Sequence, residues 1–510
     1  MAEGSVLPSL VHLLAERVAE SRDRVAVICR EQRLTYGELQ AAAHVLAGRL
    51  TSLGIAPGDR VALMAPNVPA FAVGYFGILS AGAIVVPLNP LLKPEEVRYA
   101  LTDSGAAAIL GLAMSGPLLL EAREGIGREV PLILLDGASG RPEPSLSGSG
   151  GEPAWTKPAA VPTVDRETVA VCLYTSGTTG RPKGALLTHG NILANIESFR
   201  QVLRLTEQDV FLTVLPLFHA YGATVMFLEP LAVGAPIVLE ARFQPELLLK
   251  SIAEHRVTIF SGVPSMFTML AATSKPPGDY SAWRLCLSGG APLPPAVLER
   301  FEQQHGVPIY EGYGPTECAP VLTVNPPSGL RKIGSVGPPI PGVELRVVGE
   351  DDRPLPVGHV GEIVARGANV MRGYFNRPAE TAEALRGGWY HTGDLGWTDE
   401  EGYYRIVDRK VDMIIVGGLN VYPSEVEAVL AQHPAVQAVA VVGLPDPVRG
   451  EVPRAVVVPQ NGEKPSPQEL IQWCRQRLAN YKVPRSVVFA TELPRSVTGK
   501  VLKGALREAG

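Results

Sequence analysis

Short apolar runs alternate with helical patterns along the first hundred residues of the chain. Runs at 25–29, 60–64 and 83–87 have the length of buried strands, and the stretches that follow them have helical periodicity. Thr35 and Glu38 stand three residues apart, which predicts a capping box at the start of one of these helices. Strands and helices that alternate in this way predict parallel β-α-β units.

The alternation begins again at residue 169, after a stretch rich in Gly, Pro and Ser at 136–164 that predicts an exposed linker. Beyond residue 333 the helical patterns nearly vanish, and the last hundred residues mix helices with short strands. We therefore predict an α/β protein with a large N-terminal domain of two doubly wound α/β subdomains plus a small β-barrel or distorted sheet, followed by a small α+β C-terminal domain. The predicted boundaries are 1–168, 169–332, 333–408 and 409–510.

Composition narrows the function classes. The 510 residues are 46% hydrophobic and 19% charged, which is typical of a globular protein. A net charge of −5 without a long basic run gives no support for nucleic-acid binding. The five cysteines form no C-x-x-C pair, so neither a zinc site nor a disulfide framework is expected, and a reducing, cytoplasmic setting fits. We expect no signal peptide and no membrane span, because charges interrupt the apolar runs; peripheral membrane contact stays open.

The stretch Tyr174–Gly184 carries the clearest chemical signal. It contains three glycines, four Ser or Thr hydroxyl groups and two cations, and an apolar run at 169–174 precedes it. A strand, a Gly-rich loop and a helix form the usual setting for phosphate binding, since backbone N–H groups can converge on an anion there. A polar surface turn is the alternative. Lys183 is followed by Gly184, so the spacing of the common P-loop is not met.

Four further stretches are informative together rather than singly. Each ends an apolar run or lies in a Gly-rich turn, where ligands of parallel sheets tend to bind. His219 alone is more typical of a core histidine, and Asp394 alone of a turn aspartate. The four stretches are Leu215–Gly222, Leu287–Pro292, Tyr310–Glu317 and Trp389–Gly396.

With the loop 174–184, the segment 310–317 and Asp394 in the same order, the sequence resembles the adenylate-forming superfamily of acyl-CoA synthetases from about residue 10 to about 507. The matching motifs also include Val407–Lys410, Asp412–Gly418, Asn420–Glu427 and Pro494–Lys500. Glu311–Val321, Ile259–Met266 and Val370–Phe375 are most similar to bacterial medium- to long-chain fatty acid–CoA ligases. The resemblance implies that an acid and ATP form acyl-AMP and pyrophosphate, and that coenzyme A then displaces AMP.

The resemblance also implies the site residues and the cofactors ATP, Mg²⁺ and coenzyme A. Catalytic roles fall to Thr175, His219, Glu317 and Lys500, with Thr175 and Glu317 at the metal. The nucleotide and coenzyme A residues are Thr175, Ser176, Gly177, Thr178, Thr179, Gly180, Lys183, Gly290, Ala291, Glu311, Gly312, Tyr313, Thr316, Asp394, Arg409, Gly417 and Gly418. The acid would lie among His219, Tyr221, Val263, Gly289, Gly312, Ala319, Pro320 and Val321.

In the family this chain resembles, the C-terminal domain is mobile. It presents the lysine that matches Lys500 for adenylation and turns to present the glycine that matches Gly418 to the incoming thiol. The family's pivot is usually Asp or Lys, whereas this chain has Val411. The departure concerns the rotation and leaves both chemical steps intact.

Four functions remain open at this stage. A fatty acid–CoA ligase leads, because the acyl set has no fixed charge. An aryl or cyclic acid–CoA ligase of the coumarate type shares all the nucleotide motifs. Acyl transfer to a carrier-protein thiol and a catalytically silent nucleotide-binding protein are the others. Phe218 and His219 stand where amino-acid-activating relatives carry Asp, so amino acids are disfavoured. We expect a small carboxylic acid as partner, and a homodimer stays open.

Overall fold

The computed structural model describes residues 7–140, 162–175, 182–416, 419–447, 449–460, 465–496, 499 and 501–508. The chain forms two compact units. The first contains residues 1–344 and 365–390, and the second contains residues 345–364 and 391–510. In the described part of the chain, no helix has the length and apolar character needed to cross a membrane.

Helices and strands alternate through the first unit, as the apolar pattern predicts. Its first part contains α1 (Leu10–Ser21), β1 (Val25–Cys29), β2 (Gln32–Thr35), α2 (Tyr36–Ser52), β3 (Arg60–Met64), α3 (Pro69–Ser80), β4 (Ile84–Pro87), α4 (Pro94–Ser104), β5 (Ala108–Leu112), α5 (Gly116–Arg123) and β6 (Leu132–Leu135). Then follow β7 (Val169–Thr175), β8 (Lys183–Thr188), α6 (His189–Leu203), β9 (Phe211–Thr213), α7 (Ala220–Ala223), a π-helical turn (Thr224–Leu228), α8 (Glu229–Val233), β10 (Ile237–Leu239), α9 (Pro245–Glu254), β11 (Ile259–Gly262) and α10 (Pro264–Ala271).

The remaining elements continue into the second unit. They are β12 (Leu285–Ser288), α11 (Pro295–His305), β13 (Ile309–Tyr313), β14 (Thr323–Val324), β15 (Val343–Val348), β16 (Gly361–Gly367), β17 (Gly373–Tyr374), α12 (Pro378–Ala384), β18 (Tyr390–Thr398) and β19 (Tyr404–Arg409). The chain ends with β20 (Ile414–Val416), β21 (Leu419–Val421), α13 (Pro423–Leu430), β22 (Val436–Asp446), β23 (Gly450–Pro459), α14 (Pro467–Arg475), β24 (Ser486–Phe489) and α15 (Lys503–Glu508).

Two largely parallel sheets build the first unit and confirm the predicted α/β class. The eight-stranded sheet has the order β14-β13-β12-β11-β9-β10-β1-β2, and the seven-stranded sheet has the order β17-β8-β7-β4-β3-β5-β6. Each sheet contains strands from both sides of residue 168, because β1 pairs with β10 and β7 pairs with β4. The domain boundaries proposed from the sequence stay predictions.

The eight-stranded sheet has a core on each face, because successive side chains of a strand point to opposite sides. Leu212, Phe260 and Cys286 face a cluster with Leu298 and Phe301 of α11. Their neighbours on the same strands, Phe211, Ile259, Leu285 and Leu287, face the other way. They pack with Phe199 and Leu203 of α6 and with Val225 and Met226 of the π-helical turn. We call the second cluster the α6 face.

Helix α3 is buried on all sides, which explains its continuous apolar sequence. Gly77 lets it approach α2, since an added Cβ would lie 2.6 Å from a Leu46 methyl carbon. Phe71 and Tyr75 make edge contacts with Phe227 of the π-helical turn. The helix therefore fixes the segment that follows His219.

Helix α2 begins at the predicted cap, which confirms the local reasoning. The Thr35 side chain accepts a hydrogen bond from the Glu38 backbone N–H group, and the Glu38 carboxylate accepts one from the Thr35 backbone, as expected of a capping box. Thr188 and Asn191 form the same arrangement at α6.

The second unit combines two sheets. Strands β15, β16, β18 and β19 form a four-stranded sheet, which is the distorted sheet among the two forms that the sequence pattern predicts for 333–408. Strands β20 to β24 form a five-stranded sheet whose longest ladder joins β22 to β23. Helices α13 and α14 supply Val426, Leu430, Leu470 and Cys474 to its core, so this part is α+β as predicted.

Candidate active site

The predicted phosphate loop connects two antiparallel strands. Thr175 at the end of β7 pairs with Lys183 at the start of β8. The sequence pattern places a helix near 190–203 after the loop, and α6 (His189–Leu203) confirms it; the six-residue strand β8 that comes first was not predicted. Leu186 and Leu187 belong to the sheet because they pair with Cys172 and Val171 of β7. Residues Ser176, Gly177, Thr178, Thr179 and Gly180 lie outside the described residues.

Glu317 is buried beside Thr175. The Thr175 hydroxyl group lies 3.5 Å from the Glu317 carboxylate, and the Tyr374 hydroxyl group donates a hydrogen bond of 2.9 Å to the same oxygen. Glu317 is 8% exposed. Burial and then the charge of Glu317 raise the pKa of Tyr374 above its usual range, so this phenol stays a hydrogen-bond donor. Two of the predicted site residues therefore meet, and Tyr374 joins them.

Tyr374 was not among the predicted site residues. Its strand, β17, pairs with β8 so that Tyr374 stands opposite Ala185. The Lys183 ammonium lies 5.3 Å from the centre of the Tyr374 ring, which is within reach of a cation–π interaction. Only the resemblance of residues 370–375 to fatty acid–CoA ligases drew attention to this segment, and it gave Tyr374 no role.

The chain turns sharply around Glu317. An added Cβ on Gly314 would lie 1.8 Å from the Pro320 carbonyl oxygen, so this close approach requires glycine. Asn195 and Asn369 hold the turn in place. The Asn195 amide group donates to the Val321 carbonyl at 2.7 Å, and the Asn369 amide group donates to the Cys318 carbonyl at 2.8 Å. Neither asparagine was predicted. Both lie far from residue 317 in the sequence.

Tyr313, Thr316 and Glu311 lie on or just after β13, next to Glu317. Glu311 is buried and accepts a hydrogen bond of 3.3 Å from the Gly334 backbone N–H group. Tyr313 ends the strand and is partly exposed, as is Thr316 in the short turn that follows. The predicted adenine and α-phosphate residues thus share one strand end with the predicted metal residue.

His219 and Tyr221 begin the helix that follows β9. His219 caps it, because its Nδ1 atom accepts from the Tyr221 backbone N–H group at 3.3 Å. Desolvation lowers the pKa of His219 to about 4, although part of the residue remains accessible, so its imidazole is neutral near pH 7. A neutral imidazole leaves the carboxylate of an acid without a fixed cation at this position.

The Tyr221 ring lies against the Gly-Gly turn at the end of β12. An added Cβ on Gly289 would lie 3.0 to 3.3 Å from the ring, and Gly290 has a φ of +80°. The Tyr221 hydroxyl group is hydrogen-bonded to Ser261 Oγ at 2.5 Å, which fixes the ring. Val263 and Val321 lie in the same α6 face as Tyr221. The structure therefore brings these predicted acyl residues together.

In the second unit, Asp394 and Arg409 stand opposite each other on β18 and β19. The Arg409 Nε atom lies 3.3 Å from an Asp394 carboxylate oxygen. The Glu362 carboxylate accepts hydrogen bonds from the Lys410 ammonium group at 3.0 Å and from the Gly393 backbone N–H group. Burial raises the pKa of Glu362, but Lys410 and the other partners outweigh it and the net shift is downward.

Val411 follows in a short turn and is 50% exposed. The Arg507 guanidinium of α15 donates to the Val411 carbonyl group at 3.3 Å and to Asp412 at 2.8 Å. Lys503, at the start of the same helix, pairs with Glu427 at 2.9 Å. Gly417, Gly418 and Lys500 lie outside the described residues.

Comparison with known proteins shows which family the chain belongs to. A family model described as AMP-binding enzyme matches residues 14–375, and one described as AMP-binding enzyme C-terminal domain matches residues 425–500. Feruloyl-CoA synthase of an Amycolatopsis species is 42% identical over 93% of this chain and 93% of its own length. Long-chain-fatty-acid–CoA ligase of Bacillus subtilis is 37% identical over 98% and 94%.

Solved structures agree with these relatives. ATP-bound MatB from Rhodopseudomonas palustris has a TM-score of 0.90 at 32% identity, with 98% of each chain covered. The anthranilate CoA ligase AuaEII in complex with anthranoyl-AMP has a TM-score of 0.87 at 29% identity and covers 100% of this chain and 98% of its own. The chain belongs to the AMP-binding enzyme family and is an adenylate-forming acid–thiol ligase that uses ATP and coenzyme A.

Proposed function

We propose that the acid is a fatty acid, which the protein converts to acyl-AMP and then to acyl-CoA. The observation that supports this is the acyl set itself. Within the described chain its members are apolar or small apart from His219 and Tyr221, and the buried environment keeps the imidazole of His219 neutral. An uncharged site of this kind favours a hydrocarbon tail over a second carboxylate.

An aryl acid is the second candidate, because one contact favours it. A Cβ on Gly289 would lie 3.0 to 3.3 Å from Tyr221, so the Tyr221 side chain lies close to Gly289 of the acyl set and offers an aromatic contact to an aryl acid. The feruloyl-CoA synthase relative supports the same alternative. The long-chain-fatty-acid–CoA ligase relatives support the first.

The reaction needs charge neutralisation around the phosphates of ATP. We assign the loop from Thr175 to Lys183 to the β- and γ-phosphates, Thr316 to the α-phosphate and Tyr313 to adenine. Asp394 and Arg409 are assigned to the ribose, and Gly417 with Gly418 to the path of coenzyme A. Gly290, Ala291, Glu311 and Gly312 complete the nucleotide set. Lys500 is assigned to the α-phosphate and the carboxylate during adenylation.

The oxygen groups around Glu317 fit Mg²⁺. One carboxylate with a hydroxyl group at 3.5 Å matches a cation that binds through one or two carboxylates together with substrate phosphates. Among the described residues no cluster of three or more His, Cys, Asp or Glu side chains could hold a metal by itself. Bound Mg²⁺ would neutralise phosphate charge, and Tyr374 would hold the Glu317 carboxylate in place.

An acid panel tests the proposal. The purified protein is given ATP, Mg²⁺ and coenzyme A with straight-chain acids of increasing length, cinnamate, ferulate and a dicarboxylate. AMP release and thioester product are both measured. Preference for straight-chain acids supports the proposal, and preference for ferulate supports the aryl alternative. Acid-dependent acyl-AMP without thioester would point to a carrier-protein thiol, and absence of ATP–pyrophosphate exchange with every acid would contradict all three.

A further inference from the structure

Glu229 is a fully buried carboxyl group that no described residue satisfies with a hydrogen bond. It begins α8, ten residues after His219, and is 0% exposed. Neither of its oxygen atoms has a hydrogen-bond partner among the described residues. Buried polar groups are nearly always hydrogen-bonded, so an orphaned carboxyl group needs a reason.

Burial favours the neutral form of the Glu229 carboxyl group. Burial raises its pKa well above the usual value, and the Arg200 guanidinium of α6 is the charge that opposes this shift. Arg200 makes no hydrogen bond to Glu229, because neither oxygen of Glu229 accepts one. A protonated carboxyl group has one O–H donor and retains acceptor capacity, so it can bind a partner that both donates and accepts.

Helix α7, the π-helical turn and α8 follow one another without a break, and Glu229 lies on the side of this segment that carries Tyr221. Tyr221, Val225 and Glu229 follow each other at intervals of four residues, and the π-helical turn between Thr224 and Leu228 keeps the last of these in line. Tyr221 and Val225 both belong to the α6 face, together with Val263 and Val321 of the acyl set.

Helix geometry directs the side chain of Glu229 back towards the turn that precedes it, on the side of Tyr221. Side chains on a helix point towards its N-terminus and cover the preceding turn, so the carboxyl group lies over the turn of Val225. Eight residues of helix separate Tyr221 from Glu229, a distance of about 12 Å along the axis, which corresponds to on the order of ten methylene groups.

We propose that Glu229 determines specificity by binding a hydroxyl group at the distal end of the acyl substrate. This rests on the proposed function, in which the acid lies beside Tyr221. The hydroxyl group would donate to one oxygen of Glu229 and accept from the other. The separation fits an ω-hydroxy fatty acid of about ten carbons better than a hydroxycinnamate, whose hydroxyl group is closer to its carboxylate.

The experiment measures competition between acids that differ only in this hydroxyl group. Pairs are decanoate with 10-hydroxydecanoate, dodecanoate with 12-hydroxydodecanoate, and cinnamate with 4-hydroxycinnamate. We expect kcat/KM for thioester formation by the unmodified protein to favour the hydroxy acid at least tenfold in at least one of the two aliphatic pairs. Preference confined to the cinnamate pair would overturn the aliphatic assignment.

Two variants separate recognition from structure. Glu229→Gln keeps a donor and an acceptor and should retain the preference, whereas Glu229→Met should reverse it in favour of the unsubstituted acid. Glu229→Met should also raise the midpoint of thermal unfolding, because it removes a buried unsatisfied group. A stabilised Glu229→Met variant with an unchanged ratio would mean that the carboxyl group is structural, and the proposal would fail.

His305→Phe is the matched control. His305 is also buried with an unpartnered ring nitrogen, but it ends α11, which packs on the opposite face of the eight-stranded sheet. We expect this variant to change stability and leave the ratio between paired acids unchanged. If no acid of any kind is turned over, the proposed function fails; if unsubstituted fatty acids are turned over without preference, only the role of Glu229 fails.

Discussion

The Tyr374 hydroxyl group donates a 2.9 Å hydrogen bond to the buried Glu317 carboxylate. The two residues are far apart in the chain and meet because β17 pairs with β8. Tyr374→Phe keeps the ring beside Lys183 and removes only the donor. Hydrogen bonds to charged groups contribute about 1.5–3 kcal/mol, so we expect acid-dependent ATP–pyrophosphate exchange to fall about tenfold or more and to need more Mg²⁺. Exchange with an unchanged Mg²⁺ dependence would show that Tyr374 does not position Glu317.

Gly289→Ala should weaken binding of the acid and leave binding of ATP unchanged. The new Cβ would lie 3.0 Å from the Tyr221 ring, which its hydrogen bond to Ser261 holds in place. We expect kcat/KM for the acid to fall about fivefold, which corresponds to about 1 kcal/mol, with KM for ATP within twofold. Gly116→Ala is the control, because its Cβ would make ordinary contacts of 3.6 and 3.8 Å with Leu134. Equal losses for acid and ATP would contradict the prediction.

His189 should make the protein less stable in acid. It is 2% exposed, and its Nδ1 atom accepts a hydrogen bond from the Leu10 backbone N–H group. Burial lowers its pKa from 6.5 to about 4. The unfolded chain therefore binds a proton that the folded chain does not, and stability falls as the pH is lowered from 6.5 to 4, by about 3 kcal/mol from this residue.

Urea unfolding of the His189→Gln variant checks this. The variant should lose less stability than the unmodified protein between pH 6.5 and pH 4, and the two should respond alike above pH 7. A parallel pH dependence throughout would place the acid sensitivity on other residues.

Lys500→Ala should separate the two half-reactions. We expect acyl-AMP formation from acid and ATP to fall by at least a hundredfold, because a cation at the α-phosphate is lost. Thioester formation from supplied acyl-AMP should stay within about threefold of the unmodified rate. Lys250→Ala removes an exposed lysine paired with Glu254 and serves as the control. Equal losses in both half-reactions would mean that Lys500 serves both.

Val411→Pro tests the pivot. Proline fixes φ near −65°, so a rotation that requires Val411 to change its backbone angles would be blocked. We expect overall thioester synthesis to fall at least tenfold while one of the two half-reactions keeps its rate. Unchanged overall turnover would place the pivot elsewhere in the chain.

Local chemistry could be predicted from the sequence, and long-range pairing could not. The capping box at Thr35 depends on residues three positions apart, and the structure has it as expected. Strand β8 was missed because its apolar residues also fit the start of a helix, and its partner β7 decides between the two. The exchange of β1 and β7 between the sheets depends on pairing with β10 and β4, which no local pattern records.

The same limit applies to the site. Motifs predicted the candidate ligand-binding residues, since glycines, hydroxyl groups and charges in a short stretch have few other uses. The residues that hold them, Tyr374, Asn195 and Asn369, carry no such signal. They are single polar side chains whose partners come from elsewhere in the fold. Glu229 was missed for a different reason, because one carboxylate in an apolar helix has no distinctive sequence pattern.

The pairing of β1 with β10 also has a consequence while the chain is being synthesised. The valine-rich strand Val25–Cys29 leaves the ribosome about 200 residues before its partner, and at about 5–20 residues per second it waits on the order of ten seconds or more. During that time one of its edges is open, and open apolar edges are where chains aggregate. Strand β2 pairs with the opposite edge, so the edge that faces β10 stays unpaired until residue 239 has been made.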